Sequence, residues 1–142
     1  MITYSAEGVK MPKIKKREIS RWIKAVAATH GRKVGEIGYM FVDDEKILEV
    51  NNEYLGHDYY TDMITFDYDE DDVLNGDLVI SLDTVRSNAE LFKKSYEDEL
   101  NRVIIHGILH LCGINDKGPG EREIMEENEN KALAILKEMS DK

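Results

Sequence analysis

Val103-Ile104-Ile105-His106-Gly107-Ile108-Leu109-His110-Leu111-Cys112-Gly113-Ile114-Asn115-Asp116 is the stretch that decides this fold. Its apolar residues recur at helical spacing, and His106 and His110, four apart, share a face with Cβ atoms roughly 5–6 Å from each other. Two imidazoles so placed can direct ring nitrogens at one ion. Gly113 can then end the helix, because a left-handed residue after the last turn costs glycine no Cβ clash. The reversal brings Asp116 back as a third ligand. Two histidines and one carboxylate leave a tetrahedral zinc one open position, the arrangement of a catalytic centre rather than a closed structural one. One histidine on so apolar a face reads as a satisfied core residue. Two would leave buried polar groups costing roughly 1–3 kcal/mol each, and a shared metal satisfies both.

The spacing of His106, His110, Gly113 and Asp116 overlays the H-E-x-x-H-x-x-G-x-x-H pattern of metzincin proteases, but Gly107 stands where their general-base glutamate would be. Glycine can neither take a proton from water nor pass it to a leaving amine, so peptide hydrolysis is disfavoured. Phosphoester cleavage stays open, since zinc can bring its bound water to a pKa of about 7 and polarise a phosphoryl oxygen without a glutamate nearby.

The segment His106-Gly107-Ile108-Leu109-His110-Leu111-Cys112-Gly113 resembles the signature H-G-x-L-H-L-x-G-x-D-H of the YbeY endoribonucleases. Upstream, Asn51-Asn52-Glu53-Tyr54, then Asp58 and Thr61-Asp62-Met63-Ile64-Thr65-Phe66, are similar to that family's L-N-x-x-Y-R-x-K-D-x-x-T-[DN]-V-L-S-F. Gly76-Asp77-Leu78-Val79-Ile80-Ser81 forms a third block, and the three keep the family's order over about residues 40–116. The resemblance implies a zincin-like metal helix and a zinc-dependent, single-strand-directed endoribonuclease with one zinc per chain. It also implies action on ribosomal RNA precursors or defective ribosomes, with the small ribosomal subunit as partner.

Three positions depart from the family pattern. Asp116 replaces its third histidine, Leu55 the arginine after the tyrosine, and His57 the lysine two positions further. A carboxylate oxygen ligates zinc at about 2.0–2.2 Å, so the first change is mild, although its charge makes the ion less electrophilic. Leucine offers a phosphate no donor, so another cation must replace the arginine or activity must fall. His57, Arg86 and Lys117 are the candidate substrate-binding cations, and Arg86 and Lys117 read equally as solvated residues. Asp62, Thr65 and Asp77 are further candidates near the cleft, with hydrogen bonding at strand edges as the plainer reading.

At 142 residues and 42% hydrophobic content, the chain can bury one core without disulfides, and its single cysteine forms none internally. Cys112 sits two residues past His110, roughly 200° around the helix, which makes it a core thiol rather than a ligand. No run of 18 apolar residues and no basic-then-apolar leader is present, so a cytoplasmic protein without a membrane partner is expected. Nineteen basic against 29 acidic residues give a net charge of −10, which repels a polyanion as a whole. Yet Lys10, Lys13, Lys15, Lys16, Arg17, Arg21, Lys24, Arg32 and Lys33 share one stretch with a single acid, Glu18. That stretch is either a surface for RNA phosphates or an acidic partner, or the solvated side of a packed helix.

Pattern along the rest predicts a single α+β domain spanning 1–142, with a small mixed sheet against helices. A short strand is expected near Ile2–Tyr4. A helix over Lys15–Thr29 carries the stripe Ile14, Ile19, Trp22, Ile23, Val26 and Ala27 and stops at Gly31. Glu36–Val42 alternates as a strand, Glu45–Tyr54 reads as a helix, and Met63–Tyr68 and Asp77–Leu82 as strands joined by a solvated acidic link. Helices from Asp83 to about Lys94, Tyr96 to Cys112 and Gly120 to Lys137 complete the chain. Two other functions compete with the nuclease: a ribosome-associated binding module with a structural zinc, favoured by Leu55 and the acidic net charge, and a metzincin-like metallohydrolase.

Overall fold

Described in the computed structural model are residues 1–55, 63–115 and 118–140. Strand β1 (Ile2–Ala6) leads to helix α1 (Lys16–Thr29), β2 (Lys33–Val42) and α2 (Asp44–Leu55). Strands β3 (Met63–Asp67) and β4 (Val73–Ser81) follow, then α3 (Leu82–Leu91), α4 (Tyr96–Leu111) and α5 (Glu121–Ser140). The strands lie in the order β1-β2-β4-β3, with β1/β2 and β2/β4 parallel and β3 antiparallel to β4. This is the mixed sheet of an α+β domain, as the patterning predicts. Among the described residues no helix is long and apolar enough to cross a membrane.

Side chains alternate between the faces of a strand, and that alternation assigns each helix its side of the sheet. Ile37, Tyr39 and Phe41 of β2 and Leu74, Leu78 and Ile80 of β4 point into the main core, with Trp22 and Ile23 of α1 and Ile104, Ile105 and Ile108 of α4. Val42, Ile64 and Val79 point the other way and meet Ile47 of α2. Each large aliphatic side chain so buried contributes roughly 1.5–3 kcal/mol. Two buried polar groups tie the layers. The Tyr39 hydroxyl donates to the Ile104 carbonyl at 2.8 Å, and the Trp22 indole N–H donates to the Ala132 carbonyl on α5 at 2.7 Å.

Strand β4 begins at Val73, four residues before the predicted start. Asn75-Gly76, ordinarily a turn signal, lies inside the strand for local reasons. A Cβ at Gly76 would lie 2.7 Å from the Phe66 carbonyl oxygen, and the Asn75 side chain accepts the Glu36 N–H at 2.8 Å where β2 carries an extra residue between Val34 and Ile37. The cap of α3 is Ser81, whose hydroxyl accepts from the Thr84 N–H, so this helix starts at Leu82 rather than Asp83.

Candidate metal centre

The Ser95 side chain caps α4 by accepting the Asp98 N–H at 3.0 Å, and three acidic residues in the first turn complement the helix dipole. The helix lies close on the sheet because of Gly107. A Cβ there would stand 2.6 Å from Met63 Cε and closer still to Leu78 Cδ2. A side chain at the position of the protease base would therefore require the ends of Leu78 and Met63 to move aside. At the other end Gly113 has φ +95°, the left-handed turn the sequence predicts.

His106 and His110 meet as the spacing requires, with ring centroids 4.5 Å apart and planes at 82°. His106 Nδ1 lies 2.5 Å from Oε2 of Glu129, a buried residue of α5. A carboxylate at Nδ1 keeps the proton on that nitrogen, which leaves Nε2 as the ring's electron-pair donor. The other oxygen of Glu129 accepts from Arg102 Nη1 at 3.3 Å, and Arg102 Nε donates to the equally buried Glu99 at 2.8 Å. Glu99, Arg102 and His106 share a face of α4 at intervals of three and four. This run of alternating charge is therefore continuous from Glu99 to the His106 ring.

Sequence reading missed Glu129. Its signal was its register: it falls four residues after Met125 and three before Ala132, both buried, so a charge occupies the inward stripe of α5. The donor chemistry suits a transition ion such as zinc, with two neighbouring imidazoles, one of them oriented by a buried carboxylate. Among the described residues no cluster of three ligating side chains is complete. Asp116, the expected third ligand, lies outside the described residues, as do Lys117, His57, Asp58, Asp62 and the side chain of Leu55.

The remaining candidates are placed apart. Arg86 of α3 is exposed, pairs with Asp83 at 3.9 Å and rests over the Tyr96 ring, 5.6 Å from its centroid. Tyr96 opens α4, ten residues before His106, or about 15 Å along the axis. The structure therefore does not bring Arg86 to the histidine pair. Asp77 points to the face that α2 covers, beside Gly38, away from α4. Thr65 is on the same side of β3 as Met63, which packs under Gly107. Cys112 is half-buried against the core, as expected of a packing thiol, and burial pushes its pKa up to about 11.

The model of the family described as "Endoribonuclease YbeY" matches residues 2–137. Proteins named Endoribonuclease YbeY are similar throughout. The one from Bacteroides thetaiotaomicron is 72% identical over 94% of this chain and 98% of its own length. That of Porphyromonas gingivalis strain W83 is 57% identical over 96% and 91%. The solution structure of TM1509 from Thermotoga maritima superposes with a TM-score of 0.68 at 30% identity, covering 96% of this chain and 89% of that one. By its matched length, its motif order and its fold, this chain belongs to the YbeY endoribonuclease family.

Proposed function

We propose that the chain cuts single-stranded RNA at a zinc centre held by His106, His110 and Asp116. By kinship, the substrate would be precursor or defective ribosomal RNA engaged on the small ribosomal subunit, in the cytoplasm. The observation that carries the reading is the His106–Glu129 pair beside His110. A buried carboxylate that fixes one imidazole tautomer next to a second imidazole is how a metal-ligand pair is oriented in advance.

Zinc, when bound, supplies Lewis-acid activation of water and of a phosphoryl oxygen. Glu129 keeps the proton on His106 Nδ1 and holds the ring's plane. Arg102 neutralises the far oxygen of that carboxylate, and Glu99 in turn holds Arg102 in place. Asp116, three residues after Gly113, is the proposed third ligand, and Lys117, next in sequence, and His57 are the proposed cations for the scissile phosphate. Arg86, on α3 beside the first turn of α4, would reach only a distant part of the RNA. Gly107 supplies no general base, which separates this site from a glutamate-dependent peptidase.

The test is cleavage of a fluorescent single-stranded RNA by metal-analysed native protein beside His110→Ala and Asp116→Ala, with melting temperatures for all three. About one zinc per chain, with cleavage lost in folded variants, is expected. Equal residual cleavage in all three would assign the activity to a contaminant. Bound zinc without cleavage would leave a binding module. A 2′,3′-cyclic phosphate end would identify attack by the RNA's own 2′-hydroxyl, and its absence hydrolysis by water.

A further inference from the structure

The acidic chain carries a segregated basic stretch. Nine of its 19 basic residues and one of its 29 acidic ones fall within residues 10–33, so that stretch is strongly positive inside a molecule of net charge −10. The structure sorts these cations. Arg32 is half-buried and engaged, donating to the carbonyls of Asp71 and Cys112, both at 3.4 Å. Arg17, Arg21 and Lys24 on α1 are exposed and, at 100° per residue, fall within about 60° of arc, opposite the buried Ile19, Trp22 and Val26. Lys16 stands exposed beside Arg17.

Among the described residues none of these four forms an ion pair. The single acid of the helix, Glu18, is engaged by the Ser140 hydroxyl and, at 4.0 Å, by Lys15. A row of unpaired cations rigidly mounted on a packed helix is a polyanion site in electrostatic terms.

We infer that the outer face of α1, centred on Arg17, Arg21 and Lys24, is a docking surface for the phosphate backbone of single-stranded RNA. The inference rests on the reading of the chain as an RNA-cutting enzyme and adds a contact remote from the histidine pair. RNA is favoured over an acidic protein by what the face lacks. No large apolar side chain is exposed on α1, whereas protein interfaces carry an apolar core from which lysine is depleted. The three cations cover about 10 Å of helix axis, a length that can follow a strand of successive phosphates.

The test uses a fluorescein-labelled 20-nucleotide 2′-O-methyl RNA, checked on a gel to stay intact, with anisotropy titrations over a range of salt. Arg17→Glu/Arg21→Glu/Lys24→Glu is compared with Lys93→Glu/Lys94→Glu/Lys131→Glu, which changes net charge equally through exposed cations elsewhere. Each contacted phosphate contributes about 0.7 to the slope of log K against log salt on single strands. The α1 variant should lose about 2 from that slope and bind at least tenfold more weakly at 0.1 M salt, while the control stays within threefold. Equal losses in both would make the effect one of net charge and overturn the proposal. No loss in the α1 variant would do the same and leave the face to an acidic protein. Unchanged melting temperatures establish that both variants fold. Anisotropy requires no cleavage, so tight binding by a native chain that cuts no RNA would sink the nuclease reading alone.

Discussion

Glu129→Gln tests the metal centre most directly, because it keeps the shape of the side chain and removes only its charge. In the native protein the carboxylate serves two donors, His106 Nδ1 at 2.5 Å and Arg102 Nη1 at 3.3 Å. Glutamine has one acceptor end. If its carbonyl oxygen takes the imidazole proton, its NH2 group faces the guanidinium, donor against donor; turned over, it faces His106 instead. A charge-assisted hydrogen bond is worth about 1.5–3 kcal/mol. Arg102 keeps Glu99 and is partly exposed, so the lower end applies, about 1.5 kcal/mol of metal-free stability, or roughly 5 °C of melting temperature. A misoriented ligand ring should in addition cost about 10- to 100-fold in zinc affinity, or about 1.4–2.7 kcal/mol. Competition against a chromophoric chelator measures the affinity, and long-range 1H–15N spectra of the imidazoles report the tautomer. A variant with a lower melting temperature but zinc affinity within twofold of native would refute the reasoning. Glu129 would then join two helices and do nothing for the ligand.

Gly107→Ala should cost about 1–3 kcal/mol in denaturant unfolding, since its methyl group must displace Leu78 and Met63 or lift α4 off the sheet; a neutral result would mean the helix can slide. Tyr39→Phe removes the hydrogen bond to Ile104 and should lose about 1 kcal/mol at pH 7. Burial raises the Tyr39 phenol well above its ordinary pKa, so the folded state holds a proton that the unfolded state releases above about pH 10. Native stability therefore falls above that pH by up to about 1.4 kcal/mol per unit from this group, and the Phe variant escapes that loss. The two stability curves should converge as pH rises, and parallel curves would show that Tyr39 is not what titrates.

What could be read in advance followed how far a local pattern determines its own surroundings. The stripes of α1 and α4 were legible because each has one buried face with a helical period, and the histidine pair was legible because its spacing alone brings the rings together. The first half of β4 was not, since Asn75-Gly76 is a turn signal unless a carbonyl from β3 and an irregularity in β2 occupy the space around it. Those partners are distant in sequence. Glu129 was hidden for a different reason. Helix α5 is rich in glutamate, and only its register between Met125 and Ala132 marks this one as inward-facing. Residue type alone leaves Arg86 equally a phosphate-binding cation or a solvated residue, and only packing shows it over Tyr96.

The same turn of α5 does two jobs that the sequence keeps far apart. Glu129 holds the ring of His106, and three residues later the Ala132 carbonyl takes the indole N–H of Trp22 from α1. One turn advances about 5 Å, so the anchor of the basic helix and the orienting group of the histidine centre lie within a single rigid stretch. The Trp22 contact is buried and the Glu129 carboxylate is buried against the half-buried His106 ring, and a buried polar group left unpartnered costs about 1–3 kcal/mol, so a shift of this turn is penalised at both ends. A backbone bound along α1 would therefore be held in fixed register to His106. Its charge would be met by the cations of α1 on a molecule that is acidic as a whole. Net charge of −10 is thus compatible with an RNA substrate: repulsion from the acidic remainder disfavours strands lying across the wrong surfaces, and the local positive face sets where a strand can approach.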